Sequence, residues 1–82
     1  EEFVVILPDT DLAGAREVAE TIRIGVQSRA IAHEDAPLGV VTVSVGLCAA
    51  VPASADDGPD LVAQADAALY RAKAAGRNCS AS

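Results

Sequence analysis

Three groups of side chains in this sequence have types and spacings that could do chemistry. Glu1 and Glu2 are adjacent carboxylates at the mouth of an apolar run. Oxygen donors of that kind suit a hard divalent cation such as Mg²⁺. They equally suit a solvated turn, and spacing alone favours the turn. Asp66, Tyr70, Lys73 and Arg77 follow one another at steps of four, three and four residues, which predicts one helix face for all four. Lys73 and Arg77, one turn apart at the helix end, would offer a phosphate chain an ammonium and a planar guanidinium together. The same cations also complement the negative end of a helix dipole, for about 0.3–1 kcal/mol, with no ligand present. The spacing leaves both readings open. His33, the one imidazole, has no Ser or Cys partner placed beside it by the sequence and reads as a loop residue without a catalytic role.

The chain that must position these groups has 82 residues, 51% hydrophobic and 22% charged. That composition fits one soluble globular domain. Its apolar content is mostly Ala and Val, small side chains that make a modest core in a chain already short of buried surface. The net charge of −6 argues against nucleic acid as a partner, since a phosphate backbone requires a basic face. No apolar run is long enough to span a membrane, so no membrane contact is expected of this segment, and no basic stretch leads into an apolar one at the start. Cys48 and Cys79 are isolated and read as inert or free thiols, consistent with a reducing compartment. With no Met anywhere and Glu1-Glu2-Phe3 running straight into an apolar stretch, the chain is expected to be part of a longer protein.

Phe3-Val4-Val5-Ile6-Leu7 is a β-branched and aromatic run stopped by Pro8, which predicts a strand buried on both faces. Pro8 to Asp11 is turn chemistry, with Thr10 or Asp11 as the cap of a helix. Leu12, Ala15, Val18, Ala19, Ile22 and Val26 form that helix's apolar stripe, with Arg16, Glu17, Glu20 and Arg23 outside it. Residues 30–39 read as a polar loop. From Val40 the pattern alternates, with Val41, Val43, Val45 and Leu47 on one side and Thr42, Ser44, Gly46 and Cys48 on the other, a strand of period two. A small acidic loop spans residues 52–59. A second helix runs from about Pro59 to a stop at Gly76, with Leu61, Ala65, Ala68, Leu69 and Ala72 as its stripe. Residues 78–82 carry no strand signal. The order strand, helix, strand, helix predicts an α/β or α+β layer.

Read together, three segments resemble the GGDEF family over essentially the whole chain, so that residues 1–82 look like the C-terminal part of one such domain. Glu1-Glu2-Phe3-Val4-Val5-Ile6-Leu7-Pro8 resembles the last three letters of the GG(D/E)EF signature and the strand after it. Thr42-Val43-Ser44-Val45-Gly46 resembles the family's T-(V/I)-S-(I/V)-G strand. Residues 65–78 match A-D-x-A-L-Y-x-A-K-x-x-G-R-N at every fixed position. The resemblance implies a ferredoxin-like, polymerase-palm-related fold and a diguanylate cyclase that condenses two GTP into cyclic di-GMP with release of pyrophosphate. It implies that Glu1 coordinates Mg²⁺ (or Mn²⁺), that Glu2 belongs to the same active-site turn, and that Lys73 and Arg77 contact GTP phosphates. Asp66 and Tyr70 would fix the helix against the sheet. A homodimer of complete domains is implied, each holding one GTP, in the cytoplasm, with any membrane anchor supplied by an upstream region.

The resemblance also implies elements outside this sequence: two glycines before Glu1, a first strand carrying a second metal-binding Asp, the guanine-recognising residues and an Arg-x-x-Asp inhibitory site. That first strand would lie between the two strands read here, so the isolated chain is expected to be unstable and inactive. A secondary inhibitory Arg of some relatives falls at Thr21, which cannot serve. The competing function is a degenerate domain that binds GTP or a protein partner and regulates without turnover; intact Glu1, Glu2, Lys73 and Arg77 favour the enzyme. A plain α/β interaction domain with a solvated polar face is the third reading.

Overall fold

The computed structural model describes residues 2–51 and 58–82; Glu1 and residues 52–57 of the expected acidic loop lie outside the described residues. Two helices and a short parallel sheet form a small α+β arrangement, α1 (Leu12–Ser28), β1 (Val45–Gly46), α2 (Gly58–Ala74) and β2 (Ser80–Ala81).

α1 begins where the Pro8–Asp9 turn ends. Thr10 Oγ1 donates to the Pro8 carbonyl at 2.9 Å. Asp11 is extended and its carboxylate accepts the Gly14 N–H at 2.8 Å. Of the two candidate caps, Asp11 therefore serves, and its charge also faces the positive end of the helix dipole. Ala15 and Ala19 are the buried residues of α1, while Leu12 and Ile22 of the expected stripe each stay 41% exposed.

β1 is covered on both faces, more than its period-two alternation alone predicts. Val45 and Leu47 pack with Ala15, Ala19 and Leu7 in one cluster toward α1. Gly46 faces α2, whose backbone comes so close that a Cβ there would stand 2.1 Å from Leu69 N and 2.3 Å from Ala65 O. Cys48 lies on the same side and its thiol donates to the Leu61 carbonyl at 3.2 Å. Among the described residues the buried core is Ala15, Ala19, Leu47, Ala68 and Ala72, four of five being alanine. Each alanine removes little apolar area from water, but its small radius lets backbones approach.

The sheet differs from expectation at both edges. The strand expected at Phe3–Leu7 is not formed: Phe3, Val4, Val5 and Ile6 are 86%, 70%, 63% and 82% exposed, and only Leu7 reaches the α1 cluster. A strand needs a neighbour for its backbone N–H and C=O groups, and among the described residues this run pairs with none. Conversely, the tail expected to lack a strand contains β2, parallel to β1 in the register Val45↔Ser80 and Gly46↔Ala81. The Val45 N–H donates to Cys79 O at 3.0 Å and the Leu47 N–H to Ala81 O at 2.9 Å. Ser and Ala have little strand propensity; the open edge of β1 supplies the partner. The strand expected from Val40 shortens to residues 45–46. Before it, an isolated antiparallel bridge joins Ala32 to Val40 and closes the loop around His33.

The close seat of α2 on Gly46 leaves no room for a side chain at this position. Gly46→Ala forces a methyl into helix backbone, not into a yielding side chain, and is expected to destabilise the fold by on the order of 3 kcal/mol. Urea unfolding of the two proteins, compared at equal slope, measures it.

Candidate functional site

The last turn of α2 carries Lys73, whose Nζ donates to Glu2 Oε2 at 3.4 Å across 71 positions of sequence. The two side chains are 38% and 60% exposed. At such exposure an ion pair contributes no more than about 1 kcal/mol, so the contact is one that a phosphate could replace. Two of the four expected site residues therefore meet at one edge of the molecule, while Glu1, chemically the neighbour of Glu2, lies outside the described residues.

Arg77 is placed differently from expectation. Its spacing predicts one helix face shared with Asp66, Tyr70 and Lys73, but α2 ends at Ala74. Gly76, Arg77 and Asn78 then adopt φ of 115°, 62° and 47° in succession. The Gly76 N–H donates to Lys73 O at 3.3 Å and the Arg77 N–H to Ala72 O at 3.1 Å. Those two bonds are a Schellman cap, which a left-handed glycine makes possible. Arg77 thus stands on reversed backbone just past the helix end, exposed to solvent, and not one turn along from Lys73. Asp66 and Tyr70 remain on α2, yet both are exposed, Tyr70 by 75%. They do not fix the helix against the sheet; Ala68 and Ala72, fully covered, and the backbone of Leu69 do.

Among the described residues no group of three or more His, Cys, Asp or Glu side chains could hold a metal ion. Mg²⁺ commonly takes one or two carboxylates and completes its shell with phosphate oxygens and water. By residue type alone, the adjacent carboxylates Glu1 and Glu2 would suit such a partial donor set. His33 is exposed and acts through its backbone, its N–H donating to Gly39 O at 2.9 Å. A cavity of about 350 Å³ lies elsewhere, lined by residues including Leu12, Leu47, Gln64 and Arg71, and contains none of the four expected site residues.

One polar cluster was not foreseen. Glu20 and Arg23, which the helical pattern places outside the apolar stripe, turn toward the tail. Arg23 Nε donates to both Glu20 oxygens at 3.1 and 3.0 Å, and Nη2 donates to Oε1 at 2.8 Å. Arg23 Nη1 donates to Asn78 Oδ1 at 3.2 Å and to Gln27 Oε1 at 3.4 Å, and Asn78 Nδ2 donates to the same Gln27 oxygen at 3.1 Å. Ser80 Oγ donates to Glu20 Oε2 at 2.9 Å, and Arg16 Nη2 donates to Ser82 Oγ at 2.8 Å. The hydrogen bonds from Arg23 and then Ser80 hold the Glu20 carboxyl below its ordinary 4.5, and Glu20 in turn raises the Arg23 guanidinium. The opposite charges at i and i+3 were the one sequence signal for this cluster.

Residues 1–79 match the family model described as "Diguanylate cyclase, GGDEF domain". The chain is similar to the response regulator PleD of Caulobacter vibrioides, 47% identical over 81 residues that cover 95% of this chain and 17% of that protein. It is also similar to diguanylate cyclase A of Treponema denticola, 36% identical over 78 residues, 95% of this chain and 20% of that protein. Diguanylate cyclase DgcP of Pseudomonas aeruginosa is 40% identical over 78 residues, 95% of this chain and 11% of that protein. The chain therefore spans no more than a fifth of the length of these curated relatives.

The Glu20 contacts predict a definite pH dependence. A carboxyl whose folded value lies below the ordinary 4.5 contributes stability that is fully present above that value. The contribution is lost as the pH falls through the lower folded value. Glu20→Gln should therefore melt at a lower temperature than the parent at neutral pH, with the gap narrowing below 4.5 and closing once the parent carboxyl is protonated. Melting curves from about pH 7 down to about pH 3 check it.

Proposed function

Because the chain belongs to the GGDEF family of diguanylate cyclase domains, we propose that residues 1–82 are the C-terminal part of a domain that condenses two GTP into cyclic di-GMP with release of pyrophosphate. The observation that carries this reading is the meeting of Glu2 with Lys73, which joins the signature turn to the phosphate-binding end of α2.

In this reading Lys73 and Arg77 bind the triphosphate. The ammonium acts as a compact charge and the guanidinium as a planar donor fork, and both stabilise the negative charge that grows as pyrophosphate leaves. Glu2 holds Lys73 at the site's edge until a phosphate takes its place. A divalent cation, Mg²⁺ or Mn²⁺, would be held by Glu1 and, when bound, supplies neutralisation of phosphate charge and a lower pKa for the attacking ribose 3′-hydroxyl. One domain presents one set of these groups, so closing a ring from two GTP requires two domains face to face, a homodimer of the complete protein. GTP places the work in the cytoplasm; among the described residues no helix is long and apolar enough to cross a membrane. The chain alone is inactive, since Lys73, Arg77 and the two acids supply only part of such a site.

The test uses the full-length protein. Lys73→Ala with Arg77→Ala is expected to weaken GTP binding by about 10- to 100-fold, the worth of lost charged hydrogen bonds, measured by calorimetry. Glu1→Gln is expected to abolish cyclic di-GMP formation from GTP and Mg²⁺, measured chromatographically, while the chain of residues 1–82 yields no product. GTP bound by the parent protein without any product would remove the enzyme reading in favour of a regulatory GTP-binding domain.

A further inference from the structure

The stretch that carries Arg77 is conformationally expensive. Three successive residues, Gly76, Arg77 and Asn78, sit at positive φ. Gly76 accepts that region freely and Asn tolerates it, but a side chain such as Arg77 keeps it only where the surroundings over-determine it. On the helix side the surroundings are the Schellman bonds of Gly76 and Arg77 to Lys73 O and Ala72 O. On the far side they are side chains of α1. The Asn78 carboxamide uses its oxygen for Arg23 and its nitrogen for Gln27, so both of its ends are engaged. Arg23 can offer Nη1 because Glu20 takes its Nε and Nη2, and the side chain is only 19% exposed. Glu20, Arg23 and Gln27 stand at i, i+3 and i+7, one stripe of α1 facing this turn.

The clamp is not needed to dock β2. The ladder to β1, the Ser80–Glu20 bond and the Arg16–Ser82 bond already hold residues 79–82 in place. What Asn78 adds falls on the turn itself. We propose that Arg23, braced by Glu20 and Gln27, is a positioning residue for the anion site: by gripping the Asn78 carboxamide it fixes the left-handed turn that presents Arg77 to a nucleoside triphosphate. The inference rests on the reading of Arg77 as a phosphate ligand, and it assigns to α1 a part in substrate binding that is exerted through the turn after α2.

The experiment measures GTP affinity and KM against kcat in the full-length protein for Arg23→Met, Asn78→Gly, Arg77→Ala and the Arg23→Met/Arg77→Ala double variant, with melting temperatures alongside. Asn78→Gly keeps a residue at ease with positive φ and leaves the Arg23–Glu20 pair intact, so it reports on the grip even if Arg23→Met folds poorly. Loss of the grip is expected to raise the GTP Kd and KM roughly tenfold, the scale of effect that a misplaced binding group produces. In the Arg77→Ala background, Arg23→Met is expected to add less than about twofold, because both changes disable one group. Affinity unchanged in folded Arg23→Met and Asn78→Gly, or effects that multiply with Arg77→Ala, overturns the clamp while leaving the phosphate reading intact. Affinity unchanged in Arg77→Ala removes the phosphate reading itself, and the clamp with it.

Discussion

The rest of the structure depends on how closely α2 sits on the backbone of β1. Gly46 has no Cβ to hold the helix off, and Ala65 and Leu69 meet it with backbone atoms. Ala68 and Ala72, fully covered, continue that contact along the helix. Because helix and strand touch through backbone, the height and tilt of α2 are set with little slack. That seat decides where its last turn emerges, and so where Lys73 can reach Glu2. It also decides where the chain leaves the Gly76 cap and returns beside β1 as β2. Site and sheet are thus consequences of one contact between small residues.

Cohesion is divided unequally between the two helices. α2 is held by close apolar contact, in which alanine provides shape more than transfer energy. α1 contributes Ala15 and Ala19 to a small cluster, but its grip on the tail is polar, running from Arg16, Glu20, Arg23 and Gln27 to residues 78–82. The Arg23–Glu20 fork is the kind of charge-assisted, two-pronged bond that fixes direction as well as contact. The Lys73–Glu2 pair is a single, longer and more exposed bond. A rigid polar brace therefore holds the turn after α2, and a loose pair stands at the last turn of the helix, which is the division of stiffness that the proposed exchange of a carboxylate for a phosphate would use.

Features that are local in the chain were legible in the sequence, and features that need a partner were not. Both helices, a cap at Thr10 or Asp11 and the stop at Gly76 follow from apolar period and capping chemistry, which depend on neighbours a few residues away. The alternation through Val45, Gly46 and Leu47 divided the strand into two faces, and the structure packs the first against α1 and the second against α2. Phe3–Leu7 and Ser80–Ala81 were misread in opposite directions, because a strand exists only by pairing, whatever its side chains prefer. Arg77 was placed on the face of α2 by counting residues through a glycine that reverses the chain. The role proposed for it, like those proposed for Glu1 and Glu2, comes from the GGDEF motifs and not from spacing. Arg23 went unnoticed because a charged residue beside an apolar stripe looks solvated until the element it faces is known.

The bare run at the start of the chain has a consequence for handling the molecule. Phe3, Val4, Val5 and Ile6 present consecutive apolar, strand-prone side chains to water, with no ladder beside them among the described residues. A segment of that composition, without a charge or proline inside it, is a template onto which a second copy can add its own strand and then a third. Exposed apolar surface of that kind favours association of copies as concentration rises, and Pro8 on one flank with the Glu2 carboxylate on the other are the residues that oppose it.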